Sequence, residues 1–193
     1  MKALILLATL KKRGKSNTET LTEFLGEYLT KQNIEFEIVK LCDHHIVPGT
    51  YTHMDVKDDW PAIYQKILDS KIILFATPLW WNSHSSELQR IIERLDEVYD
   101  MMLAGKESPL DGKIGGVIIT GDSDGVEHVT GNIANFFCSI GICTPPYTSL
   151  GVIWDGHAKD AKKTKAQLLK YYHREYAKDA QSMAESLAKF GKK

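Results

Sequence analysis

Short runs of apolar residues alternate along this chain with longer stretches whose apolar positions recur at helical spacing. The short runs predict strands, at Ala3–Leu7, Glu35–Lys40, Ile72–Ala76, Ile114–Thr120 and Ile142–Tyr147. The longer stretches predict helices with one apolar face, at Thr18–Gln32, Trp60–Asp69, Ser85–Ala104, Val126–Ile140 and Ala158–Phe190. Alternation of strand and helix is typical of a parallel sheet covered by helices on both faces.

The number and order of these elements favour an α/β fold of the flavodoxin-like, doubly wound type. In that fold a five-stranded parallel sheet has the order 2-1-3-4-5, and the ligand binds at the carboxyl ends of the strands. The chain has 193 residues, enough for one domain with a sizeable core, and we expect a single domain over residues 1–193.

Composition and charge limit the classes of partner that this chain is expected to bind. The formal net charge of −1 offers no bulk basic surface for nucleic acid or an anionic membrane. No apolar run approaches about 18 residues, the length of a membrane-spanning helix, and the N-terminus lacks the pattern of a secretion signal. Cys42, Cys138 and Cys143 form no close pair. We therefore expect no disulfide framework, a cytoplasmic location, and buried structural roles for Cys138 and Cys143.

The segment between the first predicted strand and the first predicted helix carries hydroxyl, amide and basic side chains. Helix N-terminal N–H groups attract an anion, and Ser16, Asn17 and Thr18 can add donors, while basic residues supply charge. The spacing of a Walker A loop is absent, and so is that of a dinucleotide fingerprint. This loop, the first loop from here on, predicts a phosphate site of a different kind.

The loop after the third predicted strand, the second loop, runs from Thr77 to Ser83 and contains two adjacent tryptophans. Pro78 fixes its own φ and favours an extended Thr77. Trp80 and Trp81 can form a planar platform for a flat aromatic ligand. Alternatively, one ring packs inward and the other meets a partner subunit.

The loop after the fourth predicted strand, the third loop, begins at Thr120 and includes Gly121, Asp122 and Gly125. Glycines at the end of a buried strand permit the backbone to approach a ligand closely. A plain turn with an aspartate capping the next helix would also explain this composition. Because all three loops lie at the same edge of the predicted sheet, together they point to a ligand site.

These motifs resemble those of the flavodoxin-like NAD(P)H-dependent FMN reductases, especially the branch with iron–sulfur flavoproteins and NAD(P)H:quinone reductases. The resemblance covers about residues 1–147 and rests on Lys15–Thr18, on Ala76–Trp81 with the trailing Leu88 and Glu93–Asp96, and on Gly115–Val117 with Thr120 and Gly121. It implies FMN as cofactor and NAD(P)H as co-substrate. It assigns the FMN phosphate to Thr9, Lys11, Arg13, Ser16, Asn17 and Thr18. It assigns the isoalloxazine ring to Thr77, Pro78, Leu79, Trp80, Trp81 and Asn82, with Thr120, Gly121, Asp122 and Gly125 on its other side.

The chain departs from the family pattern in two places. The family's phosphate loop usually opens with Gly-Ser and places Arg two residues later, whereas this chain has Ala8 and Thr9, then Lys11, with Arg13 displaced. The iron–sulfur branch carries a cysteine cluster after the second strand, where this chain has Cys42, so we expect no cluster.

The resemblance implies an FMN-dependent oxidoreductase that passes hydride from NAD(P)H to a quinone, a flavin or a nitro- or azo-aromatic compound. FMN carries that chemistry, so no catalytic side chain is assigned. A flavodoxin-type electron carrier without NAD(P)H turnover is the alternative, and a phosphate-ligand binding protein is a third hypothesis. We expect a homodimer or homotetramer, because family subunits commonly wall the flavin site.

Two further groups of polar residues are candidates for other roles. Asp43, His44, His45 and His53 lack the spacing of metal ligands, so no metal site is expected. Arg94 and Asp96 either pair with a partner subunit or are solvated.

Overall fold

The computed structural model describes residues 1–121, 125–154 and 163–192. Its centre is a parallel sheet in the order β2-β1-β3-β4-β5, which confirms the predicted doubly wound fold. The strands are β1 (Lys2–Leu7), β2 (Glu35–Lys40), β3 (Ile72–Pro78), β4 (Ile114–Gly121) and β5 (Ser149–Ile153).

Seven α-helices are described, and they cover both faces of the sheet. They are α1 (Asn17–Lys31), α2 (Trp60–Leu68), α3 (Ser86–Arg94), α4 (Asp96–Leu103), α5 (Val126–Ser139), α6 (Lys165–Glu175) and α7 (Ala177–Gly191). None of the helices in the described ranges combines the length and the apolar character needed to cross a bilayer.

Side chains alternate across β1 because successive residues of a strand point to opposite faces. Ile5 and Leu7 join the core that the sheet forms with α1, α6 and α7. Leu4 and Leu6 join the core on the other face, with α2, α3 and α5. Full burial of each leucine or isoleucine contributes about 1.5–3 kcal/mol, so the central strands fix the sheet firmly.

The predicted position of the last strand was wrong. Within residues 142–147, pairing is limited to an isolated parallel bridge between Cys143 and Ile114. Pro145 and Pro146 have no N–H to donate to a sheet, and Tyr147 has a φ of 63°. Pairing resumes at β5, whose serine and glycine dilute the apolar signal.

Two predicted long helices are interrupted. The Ser85–Ala104 prediction divides at Leu95, because the Glu97 N–H donates to the Thr50 carbonyl at 3.1 Å instead of continuing the helix. The described part of the Ala158–Phe190 prediction divides at Tyr176, whose φ of −120° is not helical. Residues 158–162 lie outside the described ranges.

The irregular segment 44–59 is held against α3 by a buried ion pair. Arg94 contacts Asp58 at 2.6 Å, with both side chains fully buried, and donates to the carbonyls of Val47 and Thr52 at 2.6 and 2.9 Å. The expectation of a solvated or intersubunit Arg94 was therefore wrong.

The expectation that Cys138 and Cys143 have buried structural roles was also wrong. Cys138 and Cys143 are exposed, and Cys42 is buried. Cys138 lies in α5 on its solvent side, and Cys143 lies in the segment before β5.

Candidate functional site

Parallel pairing brings the carboxyl ends of four strands to one edge of the sheet. Leu7 of β1 is level with Ala76 of β3, and Pro78 of β3 is level with Thr120 of β4. Gly121 is level with Ile153 of β5. The three loops singled out from the sequence therefore start side by side.

Hydroxyl groups line the first loop where it enters α1. Ser16 is the N-cap of α1, and its hydroxyl accepts from the Glu19 N–H at 3.3 Å and lies 2.9 Å from the Thr9 hydroxyl. The Thr18 hydroxyl lies 2.7 Å from that of Thr120, which links the first loop to β4. Thr9, Ser16 and Thr18 are buried, and Asn17 is half-buried. Together they form a polar floor at a helix N-terminus.

The basic side chains of the first loop lie at its rim. The Lys11 ammonium donates to the Lys15 carbonyl at 3.1 Å, and the Lys15 ammonium donates to the Lys163 carbonyl. Lys12 and Arg13 are exposed. Gly14 has a φ of 82°, a conformation that glycine adopts without strain, and it turns the chain back toward Ser16.

The second loop is a tight hairpin with tryptophan at its tip. The N–H and carbonyl of Trp80 exchange hydrogen bonds with those of Ser83 at 2.8 and 2.9 Å. Trp81 and Asn82, with φ of 48° and 61°, occupy the two central positions, as in a type I′ turn. Trp80 is 52% exposed and Trp81 is 97% exposed. Neither ring packs inward. The interpretation in which one tryptophan packs inward was therefore wrong.

Buried hydrogen bonds fix the base of the second loop to its neighbours. Ser85, the N-cap of α3, donates from its hydroxyl to the Ala8 carbonyl at 2.7 Å, and its N–H donates to the Thr77 hydroxyl at 3.0 Å. The Leu79 N–H donates to the Thr120 carbonyl at 2.8 Å. Sequence reasoning missed Ser85, although a serine directly before an amphipathic run is a typical helix N-cap.

The third loop approaches the hairpin closely at its described end. A Cβ at Gly125 would lie 2.2 Å from Asn82 Oδ1, and Gly125 has a φ of 131°. A Cβ at Gly121 would lie 2.7 Å from that of Leu79. Both positions therefore require glycine. Asp122, also predicted in this loop, lies outside the described residues.

A fourth contribution comes from Trp154, directly after β5, and from α6, where no local pattern in the sequence indicated a site. The Trp154 N–H donates to the Gly121 carbonyl at 2.9 Å, and the Trp154 ring stacks on Tyr171 at 4.9 Å. The buried Tyr172 hydroxyl donates to the Asn17 carbonyl at 3.3 Å. Burial raises the pKa of Tyr172 far above its ordinary value, so its hydroxyl stays protonated. Residues distant in sequence thus brace the first loop.

The described ranges contain no group of three or more His, Cys, Asp or Glu residues arranged to hold a metal ion. The described residues at this edge present hydroxyl groups, backbone amides, exposed cations and exposed aromatic rings.

Comparison with known proteins gives both partial relatives and a likeness in fold. The chain is 31% identical over 163 residues to a divalent metal cation transporter, MntH, of Mycobacterium bovis, a match that covers 82% of this chain and 24% of that protein. It is 30% identical over 168 residues to 8-demethyl-8-aminoriboflavin-5′-phosphate synthase of Streptomyces davaonensis, a match that covers 82% of this chain and 65% of that protein. The chain thus spans less than two thirds of the length of these curated relatives.

The structure of RosB with the bound intermediate 8-demethyl-8-formylriboflavin-5′-phosphate matches this fold with a TM-score of 0.81 at 24% identity. That match covers all of this chain and 79% of that one. The family model described as NADPH-dependent FMN reductase matches residues 1–152, which include β1 to β4 and the three loops. The chain belongs to the NADPH-dependent FMN reductase family.

Proposed function

We propose that this protein binds FMN at the carboxyl edge of the sheet and passes reducing equivalents from NAD(P)H to a small acceptor such as a quinone, a flavin or a nitro- or azo-aromatic compound. The observation that carries the proposal is the meeting of a buried hydroxyl floor at a helix N-terminus with an exposed tryptophan hairpin at one sheet edge. Family membership supports the same conclusion.

The donor set at the first loop fits the phosphate of FMN. The N-terminus of α1 presents backbone N–H groups and a partial positive charge. The hydroxyls of Ser16 and Thr18 and the amide of Asn17 can each donate to a phosphate oxygen. Thr9 and Thr120 hold two of these hydroxyls in place, so the site is organised before the ligand arrives.

The ring end of the site is formed by the second and third loops. Trp80 and Trp81 provide flat apolar surface, and Gly125 lets the third loop lie directly against Asn82. When bound, FMN supplies the hydride chemistry between NAD(P)H and the acceptor. The side chains of this protein orient the ring and limit access to flat substrates, and none is assigned the role of acid or base.

The decisive experiment is the visible spectrum of the purified protein after incubation with FMN and removal of free flavin. We expect one FMN per chain, released by heat and identified by chromatography, and bleached under anaerobic conditions by NADPH or NADH. Recovery of FAD, or retention of no flavin, would contradict the proposed cofactor. FMN that stays oxidised with both nicotinamides would favour the flavodoxin-type carrier instead.

A second candidate function follows from the relative that is named as an aminoriboflavin-phosphate synthase. In that case the flavin phosphate is a substrate whose ring is altered, not a cofactor that is returned unchanged. Mass spectrometry of the flavin after many turnovers distinguishes the two functions. We expect the mass of FMN to be unchanged.

A further inference from the structure

The basic residues at the first loop fall into two groups with different surroundings. Lys11 and Lys15 each direct their ammonium groups at backbone carbonyls, of Lys15 and Lys163. Lys40, in β2, reaches the Lys12 carbonyl at 3.3 Å and pairs with Glu19 at 3.1 Å. These three lysines therefore fold the loop and connect it to its neighbours.

Lys12 and Arg13 form the second group, which we call the rim pair. Both side chains are exposed, and neither makes a hydrogen bond or an ion pair with any residue in the described ranges. The backbone that carries them is nevertheless fixed, by the bond from Lys40 to the Lys12 carbonyl and by the turn at Gly14. Within the part of the chain that the structure describes, these two cations thus lie at a defined place without a carboxylate partner.

The donors proposed for the FMN phosphate do not include the rim pair. They are the buried hydroxyls of Ser16 and Thr18 and the N-terminus of α1. Glu19, the acidic residue of the first turn, is paired with Lys40 and does not neutralise the rim pair. Among the described residues, the rim pair therefore adds two cations without an acidic partner at the sheet edge where the flavin is proposed to bind.

We propose that Lys12 and Arg13 form a second anion subsite that binds a phosphate of the nicotinamide dinucleotide. This inference rests on the proposed function, because the dinucleotide must reach the same edge of the sheet. It carries a pyrophosphate and, in NADPH, a further 2′-phosphate. The planar guanidinium of Arg13 suits bidentate contact with phosphate oxygens, and Lys12 adds a mobile point charge. Arg13, which the family resemblance assigned to FMN, is thereby reassigned to the second substrate.

The test compares the double variant Lys12→Ala/Arg13→Ala with the parent, both loaded with FMN. The matched control is Lys106→Ala/Lys192→Ala, which removes the same charge at exposed positions of the opposite edge. Lys106 precedes β4, and Lys192 follows Gly191, which lies against Met1. Binding of the oxidised dinucleotides NADP⁺ and NAD⁺ is measured by quenching of tryptophan fluorescence, so the result does not depend on turnover.

We expect the dissociation constant for NADP⁺ to rise at least tenfold in the rim variant and to change less than twofold in the control. If NAD⁺ binding is unaffected, the 2′-phosphate is the group bound, and if NAD⁺ weakens equally, the pyrophosphate is. Unchanged binding of both dinucleotides would overturn the subsite. So would a tenfold loss of FMN affinity with dinucleotide binding intact, which would return Arg13 to the flavin phosphate.

The proposed function can fail separately from this subsite. A parent protein that binds NADP⁺ through the rim pair but does not reduce FMN would keep the subsite and refute the oxidoreductase. A parent that binds neither dinucleotide refutes the subsite directly. Steady-state KM values for NADPH and NADH then show whether the subsite acts during turnover.

Discussion

At the scale of single residues, Ser16 and Asn17 are neighbours whose side chains have different structural roles. Ser16 caps α1 and pairs with Thr9, whereas no side-chain bond is formed by Asn17 within the described ranges. We expect Asn17→Ala to weaken FMN binding about tenfold, since a hydrogen bond to a charged group contributes about 1.5–3 kcal/mol. Ser16→Ala should do the same and also lower the free energy of unfolding by about 0.5–2 kcal/mol through loss of the cap.

FMN titration and urea unfolding of the flavin-free variants measure these two effects separately. Asn135→Ala, at an exposed position of α5, is the control that removes an amide elsewhere. Equal FMN affinity for Asn17→Ala and the parent would show that the phosphate does not contact this amide.

Trp81 occupies a backbone conformation that favours asparagine or glycine. Its φ of 48° costs about 1 kcal/mol for an L-residue, and its ring is almost fully exposed, so it does not serve the stability of the monomer. Trp81→Gly relieves that strain but adds about 0.5–1 kcal/mol of chain entropy, so the free energy of unfolding should stay within about 0.5 kcal/mol of the parent. Turnover should fall, because the ring borders the proposed substrate site.

Stopped-flow reduction of FMN-saturated protein by NADPH, followed by reoxidation with a quinone, measures that effect. Trp80→Ala is examined beside Trp81→Gly, since Trp80 is the other half of the platform. If both half-reactions match the parent in both variants, the tryptophans do not contact the substrates and the placement of the substrate is wrong.

At the scale of elements, the buried Arg94–Asp58 pair joins segment 44–59 to α3. Removal of one partner leaves a buried charge unpaired, which typically costs about 3–5 kcal/mol. We therefore expect Asp58→Asn to lower the free energy of unfolding at pH 7 by about that amount. Glu37→Gln is the control: Glu37 pairs with Lys2 and Lys66 at partly exposed positions of β2, where an ion pair contributes at most about 1 kcal/mol.

The same pair gives a pH dependence whose sign follows from Asp58. Burial alone would raise the pKa of Asp58, but hydrogen bonds from the Trp60 N–H, Arg94 and the Val47 N–H together hold it below its ordinary value. Its stabilisation is therefore complete above the unfolded pKa of about 3.9 and is lost as the pH falls through that value toward the folded pKa. Urea midpoints between pH 7 and pH 3 should fall less steeply for Asp58→Asn than for the parent. Parallel slopes would contradict this assignment.

The elements that the sequence predicted well are those whose signal is local. The apolar runs of β1, β3 and β4 and the helical spacing of α1, α2 and α5 lie within one window each. The error at the last strand had a local cause, since Pro145 and Pro146 have no N–H to donate to a sheet. Two other errors came from long-range contacts: the Glu97 N–H bonds to Thr50 instead of within its helix, and Arg94 pairs with Asp58 across 36 residues. No periodicity within a single window carries that information.

At the scale of the whole molecule, the candidate site was predictable because the fold gathers strand ends at one edge. Given a parallel sheet, the three loops had to meet there, and the structure places Thr18 against Thr120 and Asn82 against Gly125. The hydrogen bond from the Tyr172 hydroxyl to the Asn17 carbonyl was not predictable. It joins residues 155 positions apart and depends on how α6 packs on α1.

Exposure of the tryptophan hairpin also bears on assembly. Trp80 and Trp81 project from a rigid turn, and large exposed aromatic rings beside a ligand site are typical of a protein interface. We propose that the protein is a homodimer or homotetramer in which a second subunit covers part of the hairpin and restricts the entrance to flat substrates.

Sedimentation velocity at micromolar concentration should give a mass of at least two chains. Trp81→Ser should shift the equilibrium toward the monomer. The control variant Tyr147→Ser, which changes an exposed aromatic ring in the segment before β5, should leave the equilibrium unchanged. A monomer that retains full FMN occupancy and full turnover would show that one chain completes the site by itself.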